Sequence, residues 1–383
     1  MDVTRVTAIF HVVRAVIISH TYANPAARGK LHALAGQGVA LAAAVPEEWR
    51  APGATEPFRT RFSEENGVRI VPVATRGIDA GGIPSSWRVS ALRQLLTDFR
   101  PDIVQVEEEP FTRAAAATAR LARALGIPAI AFTAESVPRP LPLLARRRRR
   151  RTLHQVRGLL GVNQLASSLA RVQVPELTTA ALPQLGLPVP RAPAPERHAP
   201  LAIGFVGRLV PEKGCDVLLR ACARLYGAWN LSVAGTGPEQ EALERLAERL
   251  GVASRVTWMG GVTQQDLAAL WPRLDCLVAP SRGTAAWVES YPLQVLEAMS
   301  HGVAVVVSDS GALPETVGRA GLTFGDGHPE GLTDALTRLL EDAALRERLA
   351  AEGRRRVIGE YVDDAIARKT LAFWRDVLNG RAA

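Results

Sequence analysis

Two glutamates, Glu289 and Glu297, bracket the stretch Glu289-Ser-Tyr-Pro-Leu-Gln-Val-Leu-Glu297. Proline suits the first position of a helix, where no N–H is needed. The spacing therefore predicts Glu289 in a loop, a helix from Pro292, and Glu297 about 7–8 Å further along its axis. Carboxylates accept hydrogen bonds from hydroxyls, and two at that separation suit two parts of one extended ligand, such as a sugar and a ribose. The plainer reading makes Glu297 a helix-surface residue and Glu289 a cap.

Upstream, Gly204-Phe-Val-Gly207-Arg208-Leu-Val-Pro-Glu-Lys213-Gly214 ends an apolar run in a turn carrying two cations. Glycine lets backbone approach a ligand closely, and Arg208 and Lys213 at a strand end suit a diphosphate. Two solvated surface cations are the alternative. Val233-Ala-Gly235-Thr-Gly237 is a second glycine turn ahead of a helical pattern, a place for an anion or simply a chain reversal. In the N-terminal half, the acidic triplet Glu107-Glu108-Glu109 and the segment Phe132-Thr-Ala-Glu135-Ser136 each follow a predicted strand. Glu135 is the first N-terminal active-site candidate there, with Glu107 and Glu109 second and a solvated acidic loop as the alternative. His20 also lies at a strand end.

These residues need elements to hold them. Strands predicted over 15–19, 39–45, 69–73, 101–106 and 129–133 alternate with helices over 25–34, 89–99 and 111–125. That is the pattern of a parallel sheet covered on both faces. Prolines crowd residues 183–200 and exclude both helix interior and central strand. The alternation then restarts: strands at 201–206, 230–234, 256–258, 275–279 and 304–308, with helices at 216–226, 238–250, 263–274 and 292–300. The expected organisation is a first α/β domain over 1–185, a linker over 186–200, a second α/β domain over 201–360 and a last helix in 361–383. Two doubly wound domains leave a cleft, and such sheets bind ligands beyond the carboxyl ends of their strands.

The chain has 383 residues, enough for two domains. Its net charge is +8, of which the run Arg146–Arg151 accounts for six. The basicity is thus local. With apolar flanks the run predicts contact with an anionic membrane surface, a solvated helix face being the alternative. Lacking interleaved aromatics, it does not read as a nucleic-acid site. Three cysteines without metal-ligand spacing predict a reducing compartment. No apolar run is long enough to span a bilayer, the first dozen residues read as an extra arm or an upstream start rather than a signal peptide, and a cytoplasmic location follows, with peripheral contact at the inner face of the membrane.

The order Gly207-Arg208-Leu…Glu-Lys213-Gly, Ala-Gly235-Thr-Gly, Trp-Met-Gly260-Gly261, Pro-Ser-Arg, Glu289…Glu297 and Ser308-Asp-Ser-Gly-Ala-Leu-Pro-Glu315 resembles the family-4 glycosyltransferases of the GT-B fold. The resemblance covers roughly residues 200–360 and, more loosely, the first half. It implies two facing Rossmann-like domains with the last helix, near 361–378, crossing back onto the first. It implies Gly207, Arg208, Lys213, Tyr291 and Leu293 at a donor diphosphate, Glu297 at the ribose, Glu289 at the transferred sugar, and Gly235, Gly260, Gly261 and Val262 around the base. It further implies retention of anomeric configuration, a nucleoside-diphosphate sugar as the donor, and no metal or other cofactor. Relatives often carry His where Glu135 stands, and this chain resembles a subgroup with Glu. Two departures are plain: Pro292 replaces an expected glycine and removes a backbone donor, and Ser19–Pro25 replaces a Gly-Gly loop. The expected acceptor is a glycan, a lipid-linked sugar or a small molecule, on the side of His20, Glu107 and Glu109. A sugar-nucleotide epimerase and a non-catalytic sugar-nucleotide-binding subunit are the rival functions.

Overall fold

The computed structural model describes residues 12–50, 56–78, 84–190 and 200–380. The N-terminal arm expected over the first dozen residues, and most of the 186–200 linker, lie outside the described residues.

One large sheet forms in each half of the chain, and the first half adds two two-stranded ribbons, Glu48–Trp49 with Phe58–Arg59 and Thr75–Ile78 with Pro84–Trp87. From edge to edge the first runs Thr178–Ala181, Gly158–Gly161, Ala129–Thr133, Ile103–Val106, Arg14–Ile18, Ala40–Pro46, Val68–Val73 and Ser63–Glu65. Every pairing is parallel except that of Ser63–Glu65 with Val68–Val73. The strand Arg14–Ile18 shows why it forms. Its side chains alternate, Ala15 and Ile17 entering one core layer and Val16 and Ile18 the other. A strand buried on both faces reads as a continuous apolar run. The covering helices are α1 (Gly29–Gly36), α2 (Val89–Phe99), α3 (Arg113–Ala124), α4 (Leu143–Leu153) and α5 (Gln164–Gln173).

The second sheet, all parallel, runs Val256–Gly260, Trp229–Ala234, Leu201–Val206, Cys276–Ala279, Ala304–Ser308 and Leu322–Phe324. Its helices are α6 (Cys215–Cys222), α7 (Gln240–Arg249), α8 (Gln264–Leu270), α9 (Leu293–Ser300), α10 (Leu313–Val317), α11 (Pro329–Glu341) and α12 (Ala343–Glu360). The last helix, α13 (Asp363–Leu378), returns to the first domain as expected. Its Ile366, Leu371, Phe373 and Trp374 complete the core layer that holds Ala15 and Ile17. The Trp374 indole donates to Gln105 Oε1 at 2.7 Å.

The chain thus crosses between domains twice, and the crossings touch: Leu187 pairs with Val362, and its N–H donates to Tyr361 O at 2.9 Å.

Two expectations are corrected. The helix expected over 25–34 is broken. Asn24 caps a single 3₁₀ turn, Pro25–Ala27, and α1 starts only at Gly29. At the break Arg28 is buried, its Nε donating to Tyr22 O at 2.9 Å. Pro292 is not the first helical residue but the cap before it (φ −78, ψ 76), and α9 begins at Leu293.

Candidate active site

In each sheet the strand order reverses beside the first strand of the domain, and such switch points are where doubly wound sheets bind ligands. In the first domain the reversal falls between Arg14–Ile18 and Ile103–Val106, which deliver His20 and Glu107–Glu109. In the second it falls between Leu201–Val206 and Cys276–Ala279, which deliver Gly207-Arg208 and Pro280-Ser281.

Lys213 and Glu289 meet at the second switch point. Lys213 Nζ lies 2.5 Å from Glu289 Oε2, and Ser281 Oγ donates to the same oxygen at 3.1 Å. The ammonium also sits 5.2 Å from the centre of the Trp287 ring, a favourable place for a cation. Glu289 is buried. Its loop is fixed from behind, where Ala312 N–H donates to Glu289 O at 2.7 Å. That contact requires glycine at 311: φ is +59, and a Cβ would stand 2.4 Å from Glu289 O. The motif around Ser310–Leu313 therefore buttresses the carboxylate.

Arg208 is exposed and has no carboxylate partner among the described residues. A Cβ at Gly207 would meet nothing closer than 3.8 Å, so protein packing alone does not demand glycine there. Gly235 differs: with φ +142, a Cβ would stand 1.9 Å from Gly207 O. Its glycine is explained by this close approach, which sets the height of the Gly207-Arg208 turn.

Glu297 lies half-buried and accepts from Gln264 Nε2 at 3.2 Å. Burial pushes its carboxyl above the ordinary range, and the Gln264 bond partly offsets this. Gly260, Gly261 and Val262 form the turn leading into α8, whose first residue is that glutamine. Tyr291 points elsewhere: its hydroxyl donates to Leu185 O at 3.1 Å, at the interdomain crossing. The Leu293 N–H turns back to Tyr291 O at 2.9 Å.

Across the cleft a cavity of about 380 Å³ is walled by both domains. Glu109, Phe111, Glu135 and Ser136 line one side, and Trp287 and Ser290 the other. Glu109 accepts from Ala134 N and Thr133 Oγ1, both at 2.8 Å. Burial pushes its carboxyl up to about 7, against the pull of those two bonds. Glu135 Oε1 accepts from Arg149 and from the Arg139 N–H, each at 2.9 Å.

The acidic triplet lies just past the strand Ile103–Val106, and its members engage different partners. Glu107 is 3% exposed and wholly engaged by Lys30 (2.6 Å), Gln105 (2.6 Å) and Gln184 (2.9 Å). It thus belongs to a buried polar network. Glu108, the middle member of the triplet, holds His20, with Oε1 2.8 Å from Nδ1 and 3.0 Å from the His20 backbone nitrogen. Missed in the sequence were Ser281, Trp287, Gln264 and Arg149. Ser281 stood in the Pro-Ser-Arg motif without an assigned role, and Arg149 was one of six arginines.

That run divides too. Arg149 binds Glu135, and Arg148 donates to Phe111 O at 2.9 Å, so two of the six brace the cavity wall. Arg146, Arg147, Arg150 and Arg151 stay exposed, as do Leu143 and Leu144 at the helix start. Among the described residues no helix is long and apolar enough to cross a membrane, and no cluster of side chains forms a metal site.

Comparison with known proteins agrees with this geometry. Residues 200–342 match the family model described as "Glycosyl transferases group 1". Over 178 residues the chain is 36% identical to a GDP-mannose-dependent alpha-(1-6)-phosphatidylinositol monomannoside mannosyltransferase of Mycobacterium tuberculosis, covering 44% of this chain and 46% of that protein. Over 214 residues it is 36% identical to a D-inositol 3-phosphate glycosyltransferase of Mycobacterium bovis, covering 53% and 39%. The chain therefore spans less than half the length of these curated relatives. Among solved structures, sucrose-phosphate synthase from Thermosynechococcus elongatus superposes with a TM-score of 0.68 at 18% identity, covering 96% of this chain and all of that one. Anabaena HepE in complex with UDP gives 0.67 at 15%, with the same coverage. Residues 200–342 are thus similar to the glycosyl transferases group 1, and the chain as a whole has the GT-B fold of two facing, doubly wound α/β domains.

Proposed function

We propose that the chain transfers a sugar from a nucleoside-diphosphate sugar to an acceptor hydroxyl, with retention and without a metal ion. The observation that carries this reading is the Lys213–Glu289 pair at the second switch point, where Val288 and Ser290, the neighbours of that glutamate, line the cavity that also holds Glu109 and Glu135. Arg208 and Lys213 would take the diphosphate, Glu297 the ribose, the Gly260–Val262 turn the base, and Glu289 the hydroxyls of the sugar. The acceptor hydroxyl would lie on the Glu109–Glu135 side.

In this scheme the acceptor oxygen bonds to the anomeric carbon on the face from which the diphosphate leaves. The bond from that carbon to the phosphate oxygen breaks, and its electron pair stays with the phosphate. The acceptor's proton passes to the same phosphate oxygen. Arg208 and Lys213 stabilise the charge that develops there. Closure of the cleft would keep water from the sugar. Tyr291 and Leu293 contribute through the shape of the loop rather than through the tyrosine hydroxyl, which is engaged at the crossing.

The acceptor reading extends to α4. Its exposed arginines and its two exposed leucines, 60% and 71% accessible, suit an anionic bilayer. Each arginine near such a surface contributes about 1 kcal/mol. We place the enzyme in the cytoplasm, its three buried thiols fitting a reducing compartment, with lipid-linked acceptors reached at the membrane's inner face.

The test is an assay with GDP-mannose and UDP-sugars, with and without a lipid extract and with a chelator throughout. Release of nucleoside diphosphate dependent on acceptor supports transfer. Isomerised donor without acceptor favours an epimerase, and tight binding without turnover favours a binding subunit. Cosedimentation with anionic but not neutral vesicles tests α4.

A further inference from the structure

Asn163, the cap of α5, joins the two walls of the cleft through one side chain. Its Oδ1 accepts from Ala166 N at 2.8 Å, the ordinary cap contact. Its amide nitrogen has two hydrogens. One goes to Ser136 Oγ at 2.8 Å and the other to Ser290 O at 2.8 Å. Only this orientation of the amide satisfies all three contacts. Asn163 is 3% exposed. Ser136 lines the acceptor-side wall, and Ser290 directly follows Glu289.

Beside it lies a second cross-domain contact. Gln164 N–H, in the first turn of α5, donates to Glu315 Oε2 at 2.9 Å. The carboxylate sits at a helix N-terminus, where negative charge is favoured. Its main chain is anchored by Arg356, which donates to Glu315 O and Thr316 O, both at 2.8 Å. Arg356 lies in α12, which leads directly into the interdomain crossing.

We infer that Asn163 is a positioning residue: it holds the Glu289 loop at a fixed height over the acceptor wall in the closed cleft, and Glu315 clasps the same helix end from the other domain. This rests on the reading of Glu289 as the carboxylate at the transferred sugar. A side-chain donor is required. A serine, threonine or aspartate at 163 would cap α5 equally well, but none would bridge Ser136 and Ser290.

The experiment is Asn163→Asp. Aspartate keeps the cap and sets a carboxylate oxygen against the Ser290 carbonyl in place of the donor. The expected result is a fall in kcat on the order of 10- to 100-fold, with the donor KM within about twofold and an increased share of donor hydrolysis over transfer. The melting temperature stays near wild type, whereas Asn163→Ala, which loses the cap as well, lowers it. Asn163→Ser should match the aspartate variant in kcat and hydrolysis. Small-angle scattering of the ligand-free proteins gives a readout independent of activity: Asn163→Asp and Glu315→Ala should both be more open than wild type. Wild-type kcat and hydrolysis ratio in Asn163→Asp, or an unchanged scattering profile in both variants, overturns the inference. If no donor turns over in wild type, the functional reading fails while the scattering still decides this one.

Discussion

Lys213 and Glu289, 76 positions apart in sequence, form one of the shortest ion pairs of the protein, with Nζ 2.5 Å from Oε2. On the proposed reading, an arriving diphosphate would compete with Glu289 for the lysine, and a sugar with the lysine for Glu289. The pair would thus hold both groups in place before the donor binds. Replacing Glu289 by Gln should lower turnover on the order of 10²–10³-fold while nucleoside-diphosphate binding, followed by calorimetry, persists. Arg208→Ala should weaken both. Unchanged turnover in either variant removes that residue from the mechanism.

Glu107 lies beside the site in sequence but has a different role. Its carboxylate and the Lys30 ammonium are both buried, 2.6 Å apart. Removing one member of such a pair strands the other, at a cost of about 3–5 kcal/mol. Glu107→Ala should therefore lower the urea midpoint sharply. Any activity that survives at low temperature should keep its wild-type KM for the donor.

Glu109 carries a pH signature. Burial raises its carboxyl to about 7 in the folded protein, above the roughly 4.3 of a solvated glutamate. The protonated form therefore favours folding. This contribution is full below about pH 4.3 and is lost as the pH rises through about 7. Across that window wild type should lose stability relative to Glu109→Gln, measured as the difference between their melting temperatures. Curves that stay parallel would show that Glu109 ionises normally.

The strands most legible in sequence were apolar runs closed by glycine or proline: 129–133, 201–206 and 304–308 stand where the pattern put them. The stretch after the arginines was opaque. Gly158–Gly161 is four residues, Gly-Leu-Leu-Gly, with little to separate a strand from a loop, and Asn163 was hidden with it. Of the site, residues with motif spacing were legible: Arg208, Lys213, Glu289 and Glu297. Ser281, Trp287 and Gln264 were not, because their value lies in reaching across from another element to a carboxylate or an ammonium. Spacing within one segment does not encode that. Nor does an acidic triplet show that Glu107 and Glu108 are both buried yet held by different partners, Lys30 and His20.

Trp374 should be the most costly residue of α13 to lose. It is fully buried and hydrogen-bonded to Gln105. Trp374→Ala should destabilise the protein by about 3–5 kcal/mol, read by denaturant titration. The loss should appear as increased amide exchange in Arg14–Ile18 and Ile103–Val106 before the second sheet responds.

The return of α13 also bears on how the protein is made. The first half of the chain emerges during synthesis with one core layer still missing Ile366, Leu371, Phe373 and Trp374. Domains ordinarily fold in order as they leave the ribosome. Here the second sheet, continuous from Leu201 to Phe324, can close first, while the earlier-made half waits for the last helix. The core layer around Ala15 and Ile17 can therefore close only once α13 has been made.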